Sequence, residues 1–136
     1  MSKIVLTLQE AFQLWPALDE LVIGPIEDGV RLPAKEMPAK ASYRLGKIYR
    51  KLQPDIEAYE KTRIDLFKRL GTHDEETDNW TIKEENMDDF TLEMEVLQEE
   101  NITLEGVMKI EFGDISHLEF KAASILALEP LMNNVE

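Results

Sequence analysis

The chain has no cysteine. That excludes disulfides, thiolate zinc sites, iron–sulfur ligation and cysteine nucleophiles. It also fits a reducing compartment. Histidine is scarce, with only His73 and His117 in 136 residues. Neither has a nucleophile or metal partner at a recognised spacing, and catalysis requires such positioned partners. There is no G-x-S-x-G, no phosphate loop, no dinucleotide fingerprint and no H-E-x-x-H. No apolar stretch reaches the ~18 residues of a membrane span. The opening MSKIVLTLQE is too short and polar for a signal peptide, so the expected location is cytoplasmic. No internal repeat is present.

Basic residues are missing from one half of the chain. Residues 1–70 hold 12 basic and 10 acidic side chains, a balance of +2. Residues 71–136 hold 3 basic and 18 acidic ones, a balance of −15. The net charge is −13. Phosphate contacts need a basic surface, so direct nucleic-acid binding and anionic-membrane binding are disfavoured. Charge segregation of this kind is a clue to partners rather than to fold.

What remains is a helix-rich pattern sized for one domain, 1–136, with a helical half at about 1–70 and an acidic α+β half at about 71–136. Lys3–Leu6 is a short apolar run, read as an edge strand or an extended lead-in. Thr7 and Glu10 form a capping box. Leu8, Phe12, Trp15, Leu18 and Leu21/Val22 then recur at helical spacing, and Pro16 predicts a kink or break near Trp15. Residues 23–38 carry two glycines and three prolines and read as a loop, with a turn at Glu27-Asp28-Gly29.

From Ala39 to Leu70 the apolar positions Leu45, Ile48/Tyr49, Leu52, Ile56, Tyr59, Leu66 and Leu70 keep helical spacing, broken once by Arg63. Pro54 allows one kinked helix or two nearly collinear segments; the second is the preferred reading. Gly71 is the natural stop. Trp80–Lys83 could form a strand within the acidic stretch 71–89. Residues 88–100 fit either period but are rich in good helix formers, which favours a helix. Residues 102–112 read as one bulged strand or two short strands. Ser116 and Glu119 suggest a second capping box opening a last helix that Pro130 ends, with a disordered or loosely docked tail. The expected fold class is α+β, mostly α: a long, kinked helix pair with a small two- to three-stranded antiparallel sheet.

The segments TLQEAFQLWPALDEL, LPAKEMPAKASYRLGKIYRKLQ, DIEAYEKTRIDLFKRLGTHDEE, ITLEGVMKI and HLEFKAASILALEPLM together resemble short accessory proteins of tailed bacteriophages and prophages. The resemblance covers most of the chain and rests on amphipathic patterns rather than chemical signatures. It implies a phage origin, which makes the expected cytoplasm that of the host cell, and no enzymatic activity. It carries over no site residues.

Three constellations could carry function. Asp74, Glu76, Asp78 and Glu85 occupy positions one, three, five and twelve of a calcium-like loop. Position six is Asn79 rather than glycine and no clear helix starts at Glu84, so neither metal nor cofactor is expected. Lys40, Arg44, Lys47 and Lys51 line one helix face opposite Leu45, Ile48 and Leu52. That stripe could be a solvated face, could meet the acidic half within the chain or across a homodimer, or could touch nucleic acid locally. An acidic stripe includes Glu84, Glu85, Asp88, Asp89 and Glu93, near Trp80 as an apolar anchor.

Like-charge clustering costs stability through self-repulsion, which favours a functional reason for the acidic stripe. The leading expectation is a non-enzymatic accessory protein that binds a host protein with a basic surface, competing for its nucleic-acid-binding site. One alternative is a morphogenesis factor in head or tail assembly. A second is a metal-dependent enzyme, which a specific thermal shift with calcium or magnesium would reveal.

Overall fold

A computed structural model of the chain describes residues 3–133. Lys3–Thr7 forms strand β1 and leads directly into helix α1, Leu8–Val22. The Thr7 capping box forms: the Glu10 amide donates to Thr7 Oγ1 at 3.1 Å, and the Thr7 amide donates to Glu10 Oε1 at 2.9 Å. These bonds satisfy two amides that a helix start would otherwise leave free. Leu8, Ala11, Leu14, Leu18 and Leu21 form the buried face of α1. Phe12 and Trp15 flank that face rather than centre it.

A two-residue hairpin follows, β2 (Ile26–Glu27) and β3 (Val30–Arg31), in the stretch read from sequence as loop. Its turn is Asp28-Gly29, both with positive φ, which suits the twist of the flanking strands. Helix α2 then runs unbroken over Ala39–Leu70, roughly 48 Å at ~1.5 Å per residue. The two collinear segments preferred from sequence are therefore one helix. Of the kink or break expected near Trp15, the break is absent, since α1 passes through Pro16. Pro16 and Pro54 are both exposed, so the helix gives up a backbone bond on its wet side, where water can take the freed carbonyl.

Gly71 ends α2, as the spacing predicts, but with extended backbone at φ −106°. Its requirement is space: a Cβ there would lie 2.5 Å from the Phe67 carbonyl oxygen. The chain turns straight into β4 (Gly71–Asp74), which pairs antiparallel with β5 (Asn79–Ile82). A 3₁₀ turn, Glu84–Asn86, precedes α3, Met87–Gln98.

β6 (Asn101–Glu105) returns antiparallel to β1, with Lys3 opposite Glu105 and Thr7 opposite Asn101. Ile4, Leu6, Ile102 and Leu104 point inward, and their neighbours point out. Gly106, at φ +71°, turns the chain away. The 102–112 stretch is thus two strands with different partners, since β7 (Ile110–Glu111) pairs parallel with β8 (Met132–Asn133).

The Ser116–Glu119 capping box does not form. Ser116 Oγ donates instead to the Gly113 carbonyl, and helix α4 spans only Ala122–Leu128. His117 therefore lies in a turn, with Nε2 2.9 Å from the Glu36 carbonyl oxygen. A box does close one turn earlier, where Asp114 Oδ2 accepts from the Glu111 amide at 3.2 Å. The tail is not loose over Leu131–Asn133: Leu131 and Met132 are buried and β8 is paired. Residues 134–136 lie outside the described range.

The fold is thus mostly helical α+β, with its strands in two-stranded pairs. One hydrophobic core draws on both halves of the sequence, from Ile4 to Met132. Among the described residues no helix is long and apolar enough to cross a membrane. Leu52 sits at the centre of the α2 face with no exposed surface. Leu52→Asp would bury an unpaired carboxylate, a cost of several kcal/mol against a stability of about 5–15 kcal/mol. Loss of the cooperative thermal transition in circular dichroism is the expected outcome.

Trp15 stacks on Tyr49 at 4.5 Å, and the Tyr49 hydroxyl donates to Asp19 Oδ1 at 3.0 Å. Arg31 closes the set, donating to Asp19 Oδ2 at 2.8 Å and to the Gly24 carbonyl at 2.6 Å. Burial, followed by the bond to Asp19, raises the Tyr49 pKa above its ordinary ~10. The folded state therefore holds the tyrosine proton more tightly than the unfolded chain does. That stability is complete below pH ~10 and is lost as pH rises through the folded pKa. Urea titrations between pH 9 and 11, a range set about the ordinary tyrosine pKa, should show a steeper stability loss for the native chain than for Tyr49→Phe.

Candidate interaction surface

The basic stripe on α2 divides between interior and surface. Arg44 is half-buried: its Nη1 donates to the Lys109 carbonyl at 2.9 Å, and its Nη2 reaches Met108 Sδ at 3.6 Å. Lys47, also half-buried, brings its Nζ to 3.9 Å from where a side chain on Gly106 would begin. Arg44 holds the turn between β6 and β7, and Lys47 lies alongside its start. The Arg44 cation thus meets a backbone carbonyl oxygen in the second half of its own chain. Lys40, Arg50 and Lys51 remain exposed.

The acidic stripe is presented by the β4–β5 hairpin, the 3₁₀ turn and α3. Glu84 and Glu85 lie on the 3₁₀ turn, and Asp88 and Asp89 in the first turn of α3. All four are exposed. Carboxylates in a first helical turn interact favourably with the unpaired amides there. Glu93 is committed elsewhere: both of its oxygens accept from Arg69 Nη2 at 2.8 Å, tying α3 to α2. That pair is largely exposed, so its worth is small, ~0–1 kcal/mol.

Trp80 is opposite His73 in the hairpin register, and the two rings stack at 4.9 Å. His73 lies on β4. Its Nε2 is 2.7 Å from Asp78 Oδ1. Trp80 is 38% exposed, so its free face remains available to a partner.

The four calcium-loop positions do not converge on one point. Asp74 Oδ1 caps the hairpin turn by accepting from the Glu76 amide at 3.0 Å. Asp78 faces His73, and Glu85 sits beyond β5 on the 3₁₀ turn. Among the described residues no cluster of three or more potential ligands is placed to hold a metal ion.

The sequence reading passed over an apolar surface on α3. This helix has no fully buried residue. Phe90, Met94 and Leu97 face inward, with Phe90 against Phe67 at 4.9 Å. Leu92 and Val96, one turn apart, are about 60% exposed. The signal was present: once residues 88–100 are helical, the strand-like alternation of Phe90, Leu92, Met94 and Val96 must place apolar side chains on two faces. Comparison with protein-family models, with curated proteins and with solved structures gives no match.

Because Arg44 holds a part-buried carbonyl and Lys51 is exposed with no ion pair among the described residues, their alanine variants should separate. Arg44→Ala should cost about 1–3 kcal/mol, as for a lost bond from a charged donor. Lys51→Ala should stay within about 0.5 kcal/mol. Urea denaturation of the two variants side by side checks this.

Proposed function

We propose that the protein is a non-enzymatic phage accessory protein that binds a host protein in the host cytoplasm and modulates it. Its acidic surface competes for a basic, nucleic-acid-binding site on that partner. The observation that carries this reading is the exposed set Glu84, Glu85, Asp88 and Asp89, whose four carboxylates have no ion-pair partner among the described residues. Such a surface steers a basic partner toward the chain and raises association rates about 10- to 1000-fold at low salt. Trp80, exposed at the neighbouring hairpin, supplies an apolar anchor, because aromatic side chains dominate interface energetics.

The isosteric variant Glu84→Gln, Glu85→Gln, Asp88→Asn, Asp89→Asn removes the charge and keeps the shape. A tagged native chain should retain a basic host protein from bacterial lysate at low salt and release it at high salt. The variant should retain far less, through an association rate about tenfold slower. Equal retention by both would contradict the reading. Recovery of phage structural proteins, or of the chain with itself, would support the assembly alternative instead.

A further inference from the structure

A trough of about 460 Å³ lies between α2 and α3. Its apolar lining is Leu66, Val96 and Leu97. Leu66 is buried but stands apart from the main core. Carboxylates rim the trough: Asp65 on α2, Glu93 and Glu100 on the other side. The Arg69 guanidinium also lines it and is held by Glu93. Asp65 and Glu100 have no ion-pair partner among the described residues.

Resting on the reading above, we propose that this trough seats a basic amphipathic helix of the partner protein. The walls decide the occupant's conformation. Both are sides of helices whose backbone groups are already bonded, so an extended peptide would find no ladder to join. A helix brings its own backbone satisfied and packs its ridges between the two rows. Its apolar side chains cover Val96 and the neighbouring Leu92, exposed by 61% and 60%. Its flanking Lys or Arg side chains reach Asp65 and Glu100. A second copy of this chain is a poor occupant, because the net charge of −13 opposes it.

The probe is a labelled Leu/Lys peptide about four turns long with helical period, titrated with the full chain by fluorescence anisotropy. Controls are a peptide of the same composition with the period scrambled, and a Leu/Glu peptide. The decisive variant is Val96→Asp, at an exposed position, with folding checked by circular dichroism. Non-specific charge attraction predicts tighter binding, because a carboxylate is added. Seating in the trough predicts binding weaker by about tenfold or more, with the scrambled and Leu/Glu peptides weaker still. Binding by Val96→Asp as tight as native, equal binding of the scrambled peptide, or no saturable binding would overturn the proposal. If Val96→Asp still retains the basic host protein while the four-carboxylate variant loses it, the trough is wrong and the broader reading stands. If both variants retain it, both fall.

Discussion

The packed seam between α1 and α2 is the contact on which the other elements depend. Leu14, Leu18 and Leu21 on one side and Leu45, Ile48 and Leu52 on the other are all buried. Aromatic pairs guard its edge: Trp15 on Tyr49, and Phe12 on Tyr59 at 4.9 Å. At ~25 cal/mol per Å² of apolar surface, such burial is the main favourable term in folding. Strand β1 enters α1 through its capping box, β6 pairs with β1, and α4 packs on α1. Sequence-distant segments thus gather on this pair of helices.

The acidic elements stand at the periphery of that core. The β4–β5 hairpin projects from the end of α2, and α3 buries no residue fully. Repulsion among their carboxylates therefore falls on solvent-facing positions, where water and salt screen it. The basic residues follow a matching division. Arg44 is drawn inward to hold the β6–β7 turn, while Arg69 reaches across to Glu93. The second half itself holds 3 basic and 18 acidic side chains, so it stays strongly negative.

Much of the architecture was legible because the relevant signals are local. The Thr7–Glu10 box, the helical spacing from Leu45 to Leu66, the stop at Gly71 and the helix over residues 87–98 all follow from residues within a few positions of one another. The misreadings have a common cause. Pro16 and Pro54 break helices when their freed carbonyls are buried, and sequence does not say that both lie on the wet side. Ser116 and Glu119 have the spacing of a cap, but the turn after Ile115 uses Ser116 to bind the Gly113 carbonyl. Sequence leaves open whether Arg44 is solvated or meets the second half of the chain, because its acceptor, the Lys109 carbonyl, lies 65 residues away. The trough escaped for the same reason: Leu66 and Val96 are neighbours only once α3 has docked.

The molecule divides into a firm two-helix core and a lightly anchored acidic surface, and native-state hydrogen exchange tests that division directly. Opening free energies near the global value are expected for amides from Leu45 to Tyr59 on α2 and from Leu14 to Leu21 on α1. Much lower values are expected across the β4–β5 hairpin and α3. Protection of α3 equal to that of the central part of α2 would contradict the account, because it would make the acidic surface part of the core.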